Sequence, residues 1–266
     1  GEWGADVCSS VRGKVVWPMK ICVLTLFPEL FEPFWDHGMI RRAVQGKKIS
    51  PTIINIRDYA KGRHRVTDDR PYGGGCGMVM KPEPLTAALA EAKTRMPSAT
   101  SLLLSPQGKR FDQHLAQSLK SVAGLILVCG RYEGVDERFV DQHVEMEISI
   151  GDFVLTGGEL GAMVVIDAVT RLIPGVLGNA DSAESDTFSD GLVEYAHYTR
   201  PSTFDHEPVP DVLLSGNHQE IDRWRRESAL IRTVLKRPDL LAQRDFSSEE
   251  RAILVKWRRD IDKLIG

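Results

Sequence analysis

Two kinds of stretch alternate along the chain. Short, continuous apolar runs are separated by longer segments in which apolar residues recur every three or four positions. Ile21–Phe27, closed by Pro28, reads as a strand, and Thr52–Ile56 as a second. The spacing over Glu29–Val44 predicts a helix. Pro82–Met96 puts Leu85, Leu89 and Ala92 on one helical face. Ser101–Leu104 and Leu125–Cys129 are further apolar runs, closed by Ser105-Pro106 and by Gly130. Runs without alternation suit strands covered on both faces, as in a mainly parallel sheet. Another helix is predicted over Glu159–Leu172, so residues 19 to about 173 read as one α/β unit.

From Pro174 to about Asn217 periodicity fades, and Asp, Ser, Gly and Pro accumulate. So long a stretch without clear elements is usually functional or a linker. Helical spacing then returns. Ile221, Trp224, Ser228, Ile231 and Leu235 share one face, and Lys236-Arg237-Pro238 ends that helix. Ser247-x-x-Glu250 is a capping box opening a last helix with Ile253, Leu254, Trp257, Ile261 and Leu264. Trp224 and Trp257 fall at core positions by this pattern, and His114 and His218 at surface or capping positions. The expected division is an extension over residues 1–18, a main domain over 19–178, a flexible active-site linker over 179–203 and a helical domain over 204–266.

Composition narrows the partners. Lys and Arg number 34 against 37 Asp and Glu, a net charge of -3 that excludes a histone-like polycation. The charge is unevenly spread. From Gln219 onward 12 Lys and Arg face 9 Asp and Glu, while the rest of the chain carries 22 against 28. A local basic patch is enough to steer an RNA partner. Cys8, Cys22, Cys76 and Cys129 have neither zinc-site spacing nor the density of a disulfide framework, so a reducing cytoplasm is expected. No apolar run approaches the ~18–20 residues of a membrane span. The first eighteen residues lack the apolar core of a secretory signal, and Met19 is the expected natural start.

Three glycine-rich breaks interrupt the α/β unit: Pro71–Gly77, Gly130-Arg131-Tyr132-Glu133-Gly134, and Gly151–Glu159. Ligands of open α/β sheets bind beyond the carboxyl ends of the strands, where glycine lets backbone groups approach closely. None of the three matches the dinucleotide or the P-loop fingerprint. Three such loops in one sheet favour a bound small molecule over three incidental turns. In the irregular segment stand Asp181, Glu184, Asp186, Asp190 and Glu194. Their spacing fits no EF-hand loop and no metal ligand is assigned. One of them could serve as a general base, and spacing does not choose which. Arg63, His64, Arg65 and Arg70, then His197-Tyr198-Thr199-Arg200-Pro201, and then Arg223, Arg225, Arg226, Arg232, Lys236 and Arg237 could line a path for a phosphate backbone.

At these loops the chain resembles a known family. Asp68-Asp69-Arg70-Pro71-Tyr72-Gly73-Gly74-Gly75, Leu104-Ser105-Pro106-Gln107-Gly108, Cys129–Arg138, Ser149–Leu160 and His197-Tyr198-Thr199-Arg200-Pro201 are similar, in order and spacing, to the bacterial tRNA (guanine-N1)-methyltransferases of the SPOUT superfamily. Members transfer a methyl group from S-adenosylmethionine to N1 of the guanine just 3′ of the anticodon, leaving S-adenosylhomocysteine. The resemblance implies an α/β sheet with a deep trefoil knot and a small all-helical C-terminal domain that helps hold tRNA. It also implies a cytoplasmic homodimer with active sites at the subunit interface. Cofactor contacts would come from Leu104, Ser105, Pro106, Gly130, Tyr132, Glu133, Ile150, Gly151, Phe153, Leu155, Gly157 and Gly158. Asp186 falls at the general-base position and Arg171 at the position facing guanine O6. The family's use of Mg²⁺ adds an expected ion, with Glu133 or Asp186 as its carboxylate.

Three positions depart from the family's common proline: Cys76, Gly161 and Ala196. Each gives up a fixed φ and predicts a looser loop. Glu194 stands where many relatives have Asp, and Phe153 where many have Tyr. The segment around Asp181–Asp190 is expected to be mobile, because it holds almost no apolar anchor. The competing readings are a SPOUT methyltransferase for another RNA and a non-catalytic RNA-binding module.

Overall fold

A computed structural model describes residues 9–11, 14–16, 18–177, 188, 191–242 and 244–265. The chain divides into two compact units, residues 1–180 and 181–266.

The first unit is built on five parallel strands. They are β1 (Met19–Thr25), β2 (Ile49–Asn55), β3 (Thr100–Arg110), β4 (Gly124–Cys129) and β5 (Met146–Ser149), in the spatial order β2-β1-β4-β3-β5. In the central strand β4 every residue is buried, which explains its unbroken apolar run. Its register sets Ile21 beside Leu125 and Leu102 beside Leu127, so the apolar rows are continuous across the sheet. Helices α1 (Gly38–Gln45), α2 (Pro82–Arg95), α3 (Gln113–Leu119), α4 (Glu137–His143) and α5 (Glu159–Thr170) accompany the strands. Leu85, Leu89 and Met96 join Leu24, Ile54, Ile126, Val128 and Phe139 in one buried cluster.

Several elements depart from the periodic reading. The helix expected over Glu29–Val44 is broken into a 3₁₀ turn at Pro28–Leu30, one helical turn at Glu32–Trp35, and α1. The break falls at His37, which is extended, and at Gly38, whose φ of +59° ends a right-handed helix. Stacking of Phe31 on Trp35, with Phe34 edge-on to both, holds the short turn in place. Strand β3 runs beyond Leu104 instead of closing at Ser105-Pro106. It shifts register and pairs again with β5 at Lys109 and Arg110. Gly108 permits this, since a side chain there would run into the backbone of Glu147 and Ile148. Helices α3 and α4 and strand β5 are each too short for periodicity to reveal. Asp112 and Asp136 cap the two helices, accepting hydrogen bonds from the amides of Leu115 and Arg138 at 2.8 and 3.1 Å.

The second unit holds a short ribbon, Thr203–Phe204 against Glu207–Pro208, and two long helices, α6 (His218–Lys236) and α7 (Ser248–Ile265). Its buried centre is Leu192, Leu230 and Ile253. The extended segment 192–196 is tied to α6 by side chains. The Val193 amide donates to Thr233 Oγ1 (3.0 Å), the Ala196 amide to Ser228 Oγ (3.1 Å), and Arg232 Nε to the Glu194 carbonyl (3.0 Å). Leu230 and Thr233 therefore form the buried line of α6, whereas Leu235, at the end of the expected stripe, is 69% exposed. The expected core position of Trp224 is likewise corrected. It is half-buried, with the Tyr195 and Tyr198 rings against it. Trp257 is also half-buried. The capping box closes as expected: the Ser247 amide donates to Glu250 Oε2 (2.8 Å) and the Glu250 amide to Ser247 Oγ (3.1 Å).

Candidate active site

Strands β3, β4 and β5 run parallel, so their carboxyl ends lie at one edge of the sheet. The loops that leave them enclose a cleft. Leu104, Ser105 and Pro106 line it from the β3 segment. Gly130, Tyr132 and Glu133 line it from the loop after β4, and Ile150, Gly151, Phe153, Leu155, Gly157 and Gly158 from the loop between β5 and α5. The structure thus gathers all twelve residues to which the resemblance pointed. Gln107, Arg131, Val135, Val154 and Thr156 share the lining without having been singled out, as does Gly161, noted in the sequence only as a departure from proline.

Close backbone approach explains the glycines. A Cβ on Gly158 would lie 2.8 Å from Cys129 Cα and 2.9 Å from Leu104 Cβ, both of which are fixed by the sheet. The Gly158 amide instead reaches the Gly130 carbonyl at 2.9 Å, and Arg131 and Gly157 form an antiparallel bridge. Gly151 has φ +150°, and the Phe153 ring occupies the space a side chain would need. The third glycine-rich segment joins from outside. Glu133 donates its amide to the Met78 carbonyl (3.0 Å), and Met80 donates to Gly134 (2.9 Å). Tyr132 sits in the left-handed region at φ +62° with its ring half-exposed, a conformation worth noting in a non-glycine residue. The result is a slot with apolar side chains and many backbone N–H and C=O groups, the usual lining of a small-molecule site.

Beneath these loops is a charged network that sequence reasoning quoted but gave no role. The Glu159 carboxylate is only 2% exposed. It pairs with Arg131 (Nη2 to Oε2, 3.0 Å; Nε to Oε2, 3.1 Å) and accepts a hydrogen bond from Thr25 Oγ1 at 2.8 Å. The Arg131 guanidinium also lies 4.3 Å from the centre of the Phe27 ring. The only signal in the sequence is an arginine and a glutamate each adjoining a glycine break. Cys129, buried beside this network, has its thiol pKa pushed well up, first by burial and then by the Glu159 charge. Burial raises Cys22 to about 12. Neither thiol is available as a nucleophile at neutral pH.

The remaining candidates are placed elsewhere. Asp186, with Asp181, Glu184 and Asp190, lies outside the described residues. Arg171 is half-buried at the C-cap of α5, at the end of that helix away from Gly158. Twelve helical residues at 1.5 Å each put the two ends about 18 Å apart. Arg63, His64, Arg65 and Arg70 are all exposed, Arg65 paired with Asp58 at 2.9 Å. In the second unit His197 faces Tyr195 at 4.6 Å and Glu194 at 3.6 Å, and Arg225 lies over the Tyr195 ring at 5.1 Å. Among the described residues no group of three or more His, Cys, Asp or Glu could hold a metal ion, and no helix is long and apolar enough to cross a membrane.

Comparison with known proteins adds an independent finding. A family profile described as tRNA (Guanine-1)-methyltransferase TrmD matches residues 19–243. A tRNA (guanine-N(1)-)-methyltransferase of Geobacter sulfurreducens is 55% identical over 242 residues, 91% of this chain and 99% of the relative. Proteins of the same name from Desulfatibacillum aliphaticivorans and Hahella chejuensis are 51% and 53% identical. They cover 93% and 94% of this chain, and 94% and 96% of their own lengths.

Proposed function

The chain belongs to the tRNA (guanine-1)-methyltransferase family, and from that premise we propose that it methylates N1 of the guanine immediately 3′ of the anticodon, with S-adenosylmethionine in the cleft at the ends of β3, β4 and β5. The observation that carries this reading is the gathering of twelve expected contact residues around one cleft. The lining suits the cofactor. Leu104, Phe153 and Leu155 offer apolar contact to an adenine ring, and glycine-lined backbone offers donors and acceptors to its edge and to the ribose. When bound, S-adenosylmethionine supplies a methyl group already activated by its positive sulfur.

What is left for the protein is to prepare the guanine. N1 carries a proton at neutral pH, so its lone pair is not free to attack. A carboxylate at Asp186 accepts that proton, and negative charge then grows on O6. The Arg171 guanidinium stabilises that charge. An Arg171 about 18 Å from Gly158 along α5 does not reach the cleft of its own subunit. A second subunit supplies it instead, and the working enzyme is a homodimer with shared active sites. The exposed apolar residues Leu160 (59%) and Val164 (46%) on α5, together with Val154 (86%), support this reading as the face that the partner covers. Threading of the loops around the cleft as a SPOUT trefoil knot belongs to the same proposal.

The second unit holds the RNA. Tyr195, His197, Tyr198 and Trp224 form a ring cluster with Arg225, and Arg223 and Arg226 are exposed on the same helix. Aromatic faces and guanidinium groups side by side suit bases and phosphates. A tRNA substrate places the work in the cytoplasm. Mg²⁺ would use Glu133, the one carboxylate lining the cleft among the described residues, with Asp186.

The test is methyl transfer from labelled S-adenosylmethionine to two tRNA transcripts that differ only in G or A 3′ of the anticodon. The G transcript alone is expected to be labelled. Asp186→Ala is expected to lower the rate roughly 10²–10⁴-fold while leaving S-adenosylhomocysteine binding intact. Equal labelling of both transcripts overturns the assigned base, and full activity of the variant overturns Asp186.

A further inference from the structure

We propose that the Arg131–Glu159 pair, a partly buried guanidinium on a buried carboxylate, is a positioning device for the cofactor cleft, fixing the spacing of the glycine loop after β4 against the glycine loop that opens α5. The proposal rests on the reading of the cleft given above. Arg131 belongs to the first loop, and Glu159 directly follows Gly157-Gly158 in the second. Two direct backbone links join the loops, the Arg131–Gly157 bridge and the Gly158 amide on the Gly130 carbonyl. The side-chain pair closes the same junction from beneath. Arg131 Nε contacts both Glu159 oxygens (3.1 and 3.3 Å) while Nη2 takes Oε2 at 3.0 Å. Thr25 at the end of β1 anchors Oε1 from the opposite side, and Phe27 carries the guanidinium face. The junction is therefore held to a third strand that contributes nothing to the cleft lining. Gly157 lacks a side chain where this pair crosses, since a Cβ there would run into Arg131 Nε and Glu159 Oε2.

Stability alone gives no reason for such a pair. A buried ion pair is often matched or exceeded in stability by apolar side chains of similar volume, because desolvation cancels most of the attraction. What an apolar pair lacks is direction. The planar fork of an arginine against a carboxylate fixes distance and angle together, and a lysine does not reproduce it. Stability and cofactor binding should therefore come apart when the pair is replaced as a unit. Replacing one member by an apolar residue would leave the other charge without its partner and disturb the fold itself, so it cannot make that distinction.

The experiment compares the full-length wild type with R131M/E159L. The readouts are thermal unfolding, S-adenosylhomocysteine binding by calorimetry, and the KM for S-adenosylmethionine against that for tRNA. The double variant is expected to keep its unfolding midpoint and its KM for tRNA. Its affinity for S-adenosylhomocysteine should fall roughly tenfold or more, the equivalent of about one directed hydrogen bond, and the KM for S-adenosylmethionine should rise in step. Undiminished binding by a folded double variant overturns the proposal alone. Absence of binding by the wild type overturns the cleft reading and the proposal with it. If the double variant does not fold, R131K decides. It keeps the charge and loses the fork, and it is expected to bind about threefold or more weakly at an unchanged midpoint, since one of the directed hydrogen bonds is lost. Wild-type affinity in R131K overturns the proposal.

Discussion

The two units of this chain solve different problems with different materials. Around the cleft the work is done by backbone. Strand β4 is buried at every position, and the loops beyond it approach one another at glycines. Among the described residues the second unit buries three apolar side chains at its centre, Leu192, Leu230 and Ile253, and surrounds them with charge. Arg226–Glu249 and Lys256–Glu227 are partly exposed pairs across α6 and α7, each worth little in water. Arg244–Glu250 is the well-buried one. A site that must recognise a small molecule needs fixed walls, and a parallel sheet supplies them. The surface proposed to meet tRNA needs cations and rings more than it needs depth, and long helices with a thin core present these.

That contrast can be broken most severely at Leu230. Leu230 is fully buried at the centre of a small cluster flanked by partly buried Leu241, Phe246 and Leu254, so Leu230→Ala should cost about 2–5 kcal/mol. Calorimetry should show the helical unit melting earlier, while hydrogen exchange finds the β4 amides still protected. Uniform loss of protection in both units would remove the contrast. Gly158→Ala tests the other side. The new methyl would meet Cys129 Cα and Leu104 Cβ, neither of which can yield, so a cost of about 1–3 kcal/mol is expected. Here S-adenosylhomocysteine affinity should suffer, and the exchange rates of α6 and α7 should not change. A variant that binds as the wild type would mean that the cleft wall is softer than its geometry indicates.

The same contrast explains what could be read in advance. Continuous apolar runs revealed β1, β4 and the start of β3, because burial on both faces leaves no polar alternation, and they revealed β2 although that edge strand is only partly buried. The break at Gly38 was missed because apolar spacing continues across it, and only the φ of that glycine shows the turn. Strand β5 was missed because its four residues, Met146–Ser149, include Glu147. In α6 periodicity chose the wrong stripe. Thr233 looks polar in the sequence, but it is fully buried as the acceptor for Val193, while Leu235 is left exposed. The cleft was legible only as glycine breaks, and its twelve named residues came from family resemblance. The Arg131–Glu159 contact joins positions 28 apart through a crossing of two loops, and no local pattern encodes that.

The smallest expected effect is the most specific. Glu250 sits where the capping box and the buried Arg244 pair meet. Burial is the largest single influence on its carboxyl and raises the pKa. The hydrogen bond and charge of Arg244, with the Ser247 amide and hydroxyl, together outweigh it and hold the folded value below normal. A group depressed in the folded state stabilises above its unfolded pKa, about 4.3, and that contribution fades as pH falls through the folded value. The helical unit should therefore lose stability on acidification below about pH 4.3, and Glu250→Gln should flatten the loss. Ser247→Ala removes the hydroxyl that accepts from the Glu250 amide, together with the smallest of the influences that lower the Glu250 carboxyl. It should cost about 1 kcal/mol at neutral pH, a fall in melting temperature of roughly 4–8 °C for a unit of this size. It leaves the Arg244–Glu250 pair and the Ser247 amide in place, so most of the acid dependence should survive in this variant. If Ser247→Ala flattened the acid limb as well, the depressed carboxyl would owe its state to the cap and not to Arg244. The charge pair would then be decoration on a unit held by its thin apolar centre.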